Sequence, residues 1–200
     1  MHFDHLSFGS LDLVEARTPV VLVPPGVRAN MPHYSFEIRE LSRWQSYEKD
    51  GLRVSAVPVQ HVGGRYGIDA AFETRAFTGY VFEYHGISVY FGGDTAYNPN
   101  DFKLTRQRFP SLSLAILPIC PNAPRDFMEH THLNPAQALD AFRLLGAKQM
   151  IPIHFDTYIN SEDAFGACPA ELEHQMHSRG LDDQQVSILG VGEQRVLIAR

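Results

Sequence analysis

The sequence predicts a mixed α/β fold in which helices pack against sheet layers, and three observations support this prediction. Short apolar runs rich in β-branched residues recur along the chain. Two of them, Ala76–Tyr84 and Ile87–Gly92, flank His85-Gly86, which is a tight hairpin signal. Later in the chain, apolar runs alternate with a helical pattern that begins at Asn134-Pro135. Early hairpins followed by a strand–helix–strand pattern are typical of a layered α/β fold.

Nine segments carry the apolar pattern of strands. They are Val20–Val23, Phe36–Leu41, Leu52–Gln60, Ala76–Tyr84, Ile87–Gly92, Leu114–Ile119, Gln149–Ile153, Gln185–Leu189 and Arg195–Ala199.

Three segments are predicted as helices. The clearest starts at Asn134-Pro135, presents one apolar face through Leu145 and stops at Gly146. A second lies between Glu162 and Arg179 and is expected to be interrupted near its middle by Pro169. A short third helix is expected from Phe102 to Phe109.

Composition fits one globular domain over residues 1–200, with no repeat and no linker. The net charge of −6 argues against a nucleic-acid partner. No apolar run is long enough to span a membrane, and no signal segment opens the chain, so we expect a cytoplasmic protein.

Cys120 and Cys168 follow no framework spacing. A disulfide between them is possible, but two free thiols in a reducing compartment are the favoured interpretation.

Histidine and aspartate residues cluster in a pattern that indicates a metal site. His2, Asp4 and His5 form an H-x-D-H motif at the start of the chain. His61, Asp94 and His154 each follow a predicted strand, and strand ends at one edge of a sheet can converge on a shared site. Imidazole and carboxylate ligands suit zinc, and also iron or manganese.

The order of these motifs resembles the metallo-β-lactamase superfamily, whose motif reads H-x-H-x-D-H, then His, Asp and His. Gly93–Tyr97, Ala123–Met128 and His132–Pro135 further resemble the branch that contains N-acyl-phosphatidylethanolamine phospholipase D, with the ascorbate-phosphate lactonases as more distant relatives. The resemblance covers nearly the whole chain. It implies an αββα sandwich.

The resemblance also implies a role for each ligand. The first of two metal ions, expected to be zinc, would take His2 and His61. The second would take Asp4, His5 and His154, and Asp94 would bridge the two ions. Asp4 would in addition orient the attacking water or accept its proton as a catalytic residue.

His132 is the other expected catalytic residue, as a donor to the transition-state oxyanion or as a general acid. With Asn134 and Pro135 it can alternatively serve only to cap a helix. Arg65 is expected to lie in a flexible glycine loop that follows His61, and the segment Pro121 to Met128 is expected to line the pocket.

The start of the chain departs from the family pattern. The superfamily motif has another His two residues before His2, and several strands precede it, whereas this sequence opens at Met1. We therefore expect a chain that lacks the first strands of the fold. The alternative is a complete protein whose first metal site lacks one ligand.

The expected function is metal-dependent hydrolysis of an ester-like bond in a small-molecule or lipid-like substrate. A phosphodiester is the first expectation and a lactone the second. A non-catalytic metal-binding remnant is the alternative from another class. The pattern predicts neither the oligomeric state nor the substrate itself.

Overall fold

A computed structural model describes residues 1–65, 76–159 and 161–196 of the chain. Within these ranges the structure is a mixed α/β fold with two sheets, as the sequence predicts. None of the helices in the described ranges combines the length and the apolar character needed to cross a membrane.

Eight strands of the described ranges form a two-stranded sheet and a six-stranded sheet. They are β1 (Val20–Val23), β2 (Glu37–Glu40), β3 (Ser46–Lys49), β4 (Leu52–Val57), β5 (Gly79–Tyr84), β6 (Ile87–Phe91), β7 (Leu114–Pro118) and β8 (Gln149–Ile153). Strands β1 and β2 pair in parallel, and the larger sheet has the order β3-β4-β5-β6-β7-β8.

The large sheet changes from antiparallel to parallel pairing halfway across. Strands β3 to β6 pair antiparallel, and β6, β7 and β8 pair in parallel. The hairpins turn at Asp50-Gly51 and His85-Gly86, and all four of these residues have positive φ. Two consecutive positive φ angles match the right-handed twist of a two-residue hairpin. Because β6 to β8 are parallel, their carboxyl ends meet at one edge of the sheet.

In the part of the chain that the structure describes, five α-helices accompany the sheets. They are α1 (Phe8–Val14), α2 (Pro99–Arg108), α3 (Arg125–Met128), α4 (Pro135–Leu145) and α5 (Ala167–Ser178). The start and end of α4 follow the prediction: Asn134 and Gln137 form a capping box, and Gly146 ends the helix with a φ of +67°.

The main core lies between the large sheet and the helices α2, α4 and α5, and α4 packs against each of the other two helices. Its largest fully buried side chains include Tyr90, Phe102, Leu117, Leu139 and Met150. The apolar face of α4 supplies much of this core, as its sequence period predicts. The core therefore fixes the positions of β7 and β8, whose carboxyl ends face the candidate site.

Several sequence predictions need correction. Gln185–Leu189 is not a strand; it makes only an isolated bridge between Val186 and Met150. Helix α5 begins at Ala167, not near Glu162. Pro169 does not interrupt it, because it lies in the first turn, where a missing amide hydrogen costs no helical bond.

One strand was not predicted, and one predicted strand is described only in part. Strand β3 was missed by the sequence prediction. The predicted strand Arg195–Ala199 lies partly outside the described residues, and its described part, residues 195–196, is not in a strand.

The two cysteines are joined in a disulfide between Cys120, beyond the end of β7, and Cys168 in α5. The preference for two free thiols was therefore wrong, and the disulfide alternative is correct.

Candidate metal centre

Three of the expected ligands lie on one turn at the start of the chain. The backbone amides of His5 and Leu6 both donate to the carbonyl of His2, at 3.2 and 2.9 Å. Helix α1 begins directly after this turn, where the Ser7 side chain accepts a hydrogen bond from the first turn of the helix. The turn and the helix cap together hold His2, Asp4 and His5 in one compact segment.

His61 faces this segment from the loop after β4. Its Nδ1 donates to the carbonyl of Thr131 at 2.9 Å, because a carbonyl oxygen can only accept. In the neutral ring Nε2 then carries a lone pair. This nitrogen lies 3.3 Å from Nδ1 of His2 and 3.8 Å from Oδ2 of Asp94. The hydrogen bond to Thr131 thus directs the ligand nitrogen into the site.

Asp94 occupies the middle of the site. It follows β6 through Gly92-Gly93, and Gly93 has a φ of +57°, a left-handed conformation that side-chain-bearing residues rarely adopt. The Asp94 side chain is only 5% exposed. Its Oδ2 lies 2.9 Å from Nε2 of His5, and its Oδ1 lies 3.2 Å from Nε2 of His154.

The loops that carry His61 and Asp94 are tied to each other. The amide of Ala96 donates to the carbonyl of Gln60 at 2.7 Å, and the amide of Gln60 donates to the hydroxyl of Thr95 at 3.1 Å. These bonds join the residues next to each expected ligand. Thr95, which follows Asp94 directly, therefore has a structural role that the sequence prediction did not assign.

His154 ends β8 in a strained backbone conformation, with a φ of +65°. Its Nδ1 donates to the carbonyl of Cys120 at 2.9 Å. Its Nε2 lies 3.2 Å from Asp94 and 3.5 Å from Oδ2 of Asp4. The strain and the carbonyl bond both serve to aim Nε2 at the carboxylates.

The structure brings all six expected ligands together in two groups whose ligand atoms lie within 4.8 Å of one another. The groups are Asp4, His5, Asp94 and His154, and His2, His61 and Asp94. Asp94 belongs to both groups, as expected of a bridging ligand.

A further observation indicates that these side chains suit a metal ion. Oδ1 of Asp94 is buried and makes no hydrogen bond in the described part of the chain, and its one charged neighbour there is Nε2 of His154, at 3.2 Å. A buried carboxylate oxygen without a hydrogen bond is costly, and a cation beside it would remove that cost. Imidazole nitrogens and carboxylate oxygens are ligands that zinc, iron and manganese accept.

Burial and neighbouring charges shift the pKa values of the expected ligands in opposite directions. Burial alone would raise the pKa of Asp94, but its contacts with His5 and His154 lower it. Burial alone would lower the pKa of His154, but its pairing with Asp4 and the charge of Asp94 raise it to about 8. Burial lowers the pKa of His61 and keeps it neutral. The site therefore has ionised carboxylates throughout the neutral range.

His132 joins the site without contacting a carboxylate. Its ring centroid lies 5.3 Å from that of His61 and 5.9 Å from that of His154. Burial lowers its pKa to about 4, so the ring is neutral at pH 7. Arg125 holds this loop by donating to the carbonyl of His132 at 3.1 Å and to Oε1 of Gln137 at 2.8 Å. The ring of His132 therefore faces the ligand group.

A cavity of about 330 Å³ opens beside Asp4, His5 and His154. Most of its wall is formed by residues 155–159 and by Ser161, Asp163, Ala164 and Phe165. Tyr158, Ile159 and Phe165 of this wall are each more than 70% exposed. Of the segment Pro121 to Met128, expected to line the pocket, none contributes to this wall, although its neighbour Cys120 does.

Arg65 differs from its prediction most strongly. It is 8% exposed, and its guanidinium contacts the first residues of the chain. The expectation of a flexible loop at this residue was therefore wrong. The carbonyls of Thr131 and Cys120 were also missed as partners of His61 and His154, because no side-chain pattern marks a backbone acceptor.

Comparison with known proteins agrees with this geometry. Residues 1–155 match the family model of the Beta-lactamase superfamily domain. The chain is 27% identical over 191 residues to the mitochondrial N-acyl-phosphatidylethanolamine-hydrolyzing phospholipase D of Saccharomyces cerevisiae. The aligned region covers 92% of this chain and 40% of that enzyme. The chain is 28% identical over 197 residues to a UPF0173 metal-dependent hydrolase of Exiguobacterium, which covers 90% of this chain and 74% of that protein.

A solved structure shows the same fold. Igni18, a metallo hydrolase from the archaeon Ignicoccus hospitalis, superposes with a TM-score of 0.71 at 20% sequence identity, over 96% of this chain and 74% of that one. The chain spans about half the length of the phospholipase D relatives it matches. From the family match, the fold and the convergence of the expected ligands, the chain belongs to the metallo-β-lactamase superfamily of metal-dependent hydrolases.

Proposed function

We propose that this chain forms one domain that hydrolyses a phosphodiester with two zinc ions held by His2, Asp4, His5, His61, Asp94 and His154. The single observation that carries the proposal is the position of Asp94, whose carboxylate belongs to both ligand groups. Such a shared carboxylate is the arrangement that a pair of ions needs. Iron or manganese would suit the same ligands.

Two ions in these groups would polarise the bond to be broken, activate water and neutralise the charge that develops. The protein contributes the positions of the ligands. The carbonyls of Thr131 and Cys120 hold the rings of His61 and His154, and ligand orientation of this kind maintains both affinity and activity.

Asp4 is the proposed group that orients the attacking water. Contact with His154, which outweighs burial, holds the pKa of this carboxyl well below its usual range. Its side chain is 37% exposed, so water can reach it. A carboxylate that is weakly basic accepts a hydrogen bond more readily than it takes a proton, so orientation is the role that this pKa favours.

His132 is the proposed donor to the transition-state oxygen. With a pKa of about 4 the ring is neutral near pH 7 and carries one N–H. A neutral imidazole is a poor source of a full proton, so the pKa favours donation of a hydrogen bond over general acid catalysis.

The cavity wall supports a lipid-like substrate. Tyr158, Ile159 and Phe165 place exposed apolar surface next to the candidate site. Carboxylates near this wall are already engaged: Asp163 accepts from the amides of Asn122 and Ala123. The wall is therefore suited to an aliphatic chain attached to the phosphodiester. The net charge of −6 argues against a nucleic-acid substrate.

The test measures metal content and turnover on the same preparation. The purified chain, loaded with Zn²⁺, is expected to hold about two ions and to hydrolyse bis(4-nitrophenyl) phosphate faster than a generic lactone. Asp94→Ala should lose both metal and turnover. Asp140→Ala is the matched control, because Asp140 lies on α4 and pairs with Arg179 away from the site.

Each contrary outcome has a definite meaning. Faster turnover of the lactone would make a lactone, and not a phosphodiester, the proposed substrate class. Metal binding without turnover of either substrate would favour the non-catalytic alternative. Full metal content and activity in Asp94→Ala would end the proposal for this site.

A further inference from the structure

Arg65 contacts both ends of the segment that carries three of the proposed ligands. One nitrogen of its guanidinium, Nη1, donates to the carbonyl of Met1 at 3.0 Å and to the carbonyl of Leu6 at 2.8 Å. His2, Asp4 and His5 lie between these two carbonyls. One nitrogen of Arg65 therefore joins the two ends of the segment that carries these ligands.

Two aromatic rings enclose the guanidinium, that of Phe3 in the same segment and that of Phe8 at the start of α1. Its central carbon lies 4.3 Å from the ring centroid of Phe3 and 4.0 Å from that of Phe8. Cation–π contacts at these distances are favourable, and more so where water is excluded. Arg65 is 8% exposed, so the contacts are largely shielded from solvent.

Arg65 also lies on the loop of another proposed ligand. His61 precedes it by way of Gly63-Gly64, and Gly64 has a φ of +127°, which favours glycine. The glycine pair turns the chain so that His61 points into the site while Arg65 reaches the segment Met1–Leu6. The position of one ligand loop is thereby fixed relative to the other.

We propose that Arg65 is a positioning residue of the metal centre, which locks the segment Met1–Leu6 against the His61 loop. The inference rests on the proposed metal site. Arg65 does not line the cavity beside Asp4 and His154, so it acts through the ligand segment and not on the substrate. A lysine cannot reproduce this arrangement, because it lacks the planar group that fits between two rings.

The test is Zn²⁺ affinity of the full chain, measured by competition with a chromogenic chelator. Arg65→Met should raise the zinc dissociation constant about 10- to 100-fold, as loss of a group that orients ligands does. Arg65→Lys should give an intermediate increase. The visible absorption of the Co²⁺-loaded protein should change in both variants, because it reports ligand geometry, which a loss of stability alone would not alter.

Arg179→Met is the matched control. Arg179 is also a largely buried arginine, with a side chain 19% exposed and an ion pair to Asp140 at 2.7 Å, but it joins α5 to α4. This variant should lose stability while keeping the zinc dissociation constant and the Co²⁺ spectrum of the wild type.

The outcomes separate this inference from the proposed site. If Asp94→Ala loses zinc while Arg65→Met keeps wild-type affinity and spectrum, the role of Arg65 is overturned and the site stands. If Asp94→Ala binds zinc like the wild type, the site itself falls. Should Arg65→Met fail to fold, Arg65→Lys decides, because wild-type affinity in that variant overturns the role.

Discussion

His154 and Cys120 are joined by a hydrogen bond of 2.9 Å in which the imidazole Nδ1 donates to the backbone carbonyl. Because Nδ1 is engaged, Nε2 is the nitrogen that faces Asp4 and Asp94. The side chain of Cys120 is bonded to Cys168 in α5. The same residue thus connects a proposed ligand at the end of β8 with the helix that follows the cavity wall.

The disulfide is expected to stabilise the fold. It closes a sequence separation of 48 residues, and a crosslink over such a loop typically contributes about 2–4 kcal/mol by restricting the unfolded chain. Cys168→Ser should lower the free energy of unfolding by about this amount in urea. Dithiothreitol should destabilise the wild type similarly and leave the variant unchanged. Two titratable thiols in the unreduced wild type would contradict the pairing.

The pKa of His154 provides a prediction for the metal-free protein. Its folded value of about 8 exceeds the ordinary value of 6.5. The stability that its protonation contributes is therefore complete below pH 6.5 and is lost as the pH rises through about 8. Asp4→Asn should lower this pKa, because the variant removes the carboxylate that stabilises the imidazolium.

Proton NMR of the histidine rings in the metal-free chain measures this pKa directly. An unchanged His154 pKa in Asp4→Asn would show that Asp4 does not pair with it. Zinc binding near neutral pH should release a proton, since the ion replaces it on Nε2.

The sequence predicts best where local signals and packing agree. Strands β1, β6 and β8 and helix α4 are strongly apolar or fully capped, and they lie close to their predicted ranges. Strand β3 was missed because Ser46–Lys49 is mostly polar. The Asp50-Gly51 turn was the signal that could have found it, since this dipeptide favours a two-residue hairpin.

The sequence predicted which residues converge, but not the groups that hold them in place. Histidine and aspartate residues at strand ends are typical of metal ligands, which is why these six were proposed. Arg65 carries no such signal: its partners lie about 60 residues away in sequence. The strand predicted at Gln185–Leu189 did not form despite its apolar pattern, because the segment pairs with β8 only through the isolated bridge of Val186.

His132 is expected to support turnover without binding metal. Removal of its ring in His132→Ala should lower kcat about 100-fold or more, the usual effect of losing an oxyanion donor, with zinc content unchanged. His130→Ala is the control, because His130 is exposed and, among the described residues, its contact is a hydrogen bond from Gln60 to its backbone carbonyl. Loss of zinc from His132→Ala would instead make His132 a ligand.

The pH profile of the same variant distinguishes the two roles of His132. A pKa of about 4 keeps the ring neutral above about pH 5, so wild-type turnover should show no limb from His132 in the neutral range. A limb between about pH 6 and pH 8 that disappears in His132→Ala would favour a general acid.

The exposed side chains of the cavity wall are expected to recognise an aliphatic chain. Phe165→Ser should raise KM for a long-chain phosphodiester about tenfold, because contact with an aromatic ring of this size contributes about 1.5 kcal/mol. KM for a phosphodiester without the chain should stay unchanged, since it does not reach the wall. Leu13→Ser, an equally exposed apolar position on α1 that does not line the cavity, is the control. An equal rise in KM for both substrates would place Phe165 in the reaction site and not in a chain-binding wall.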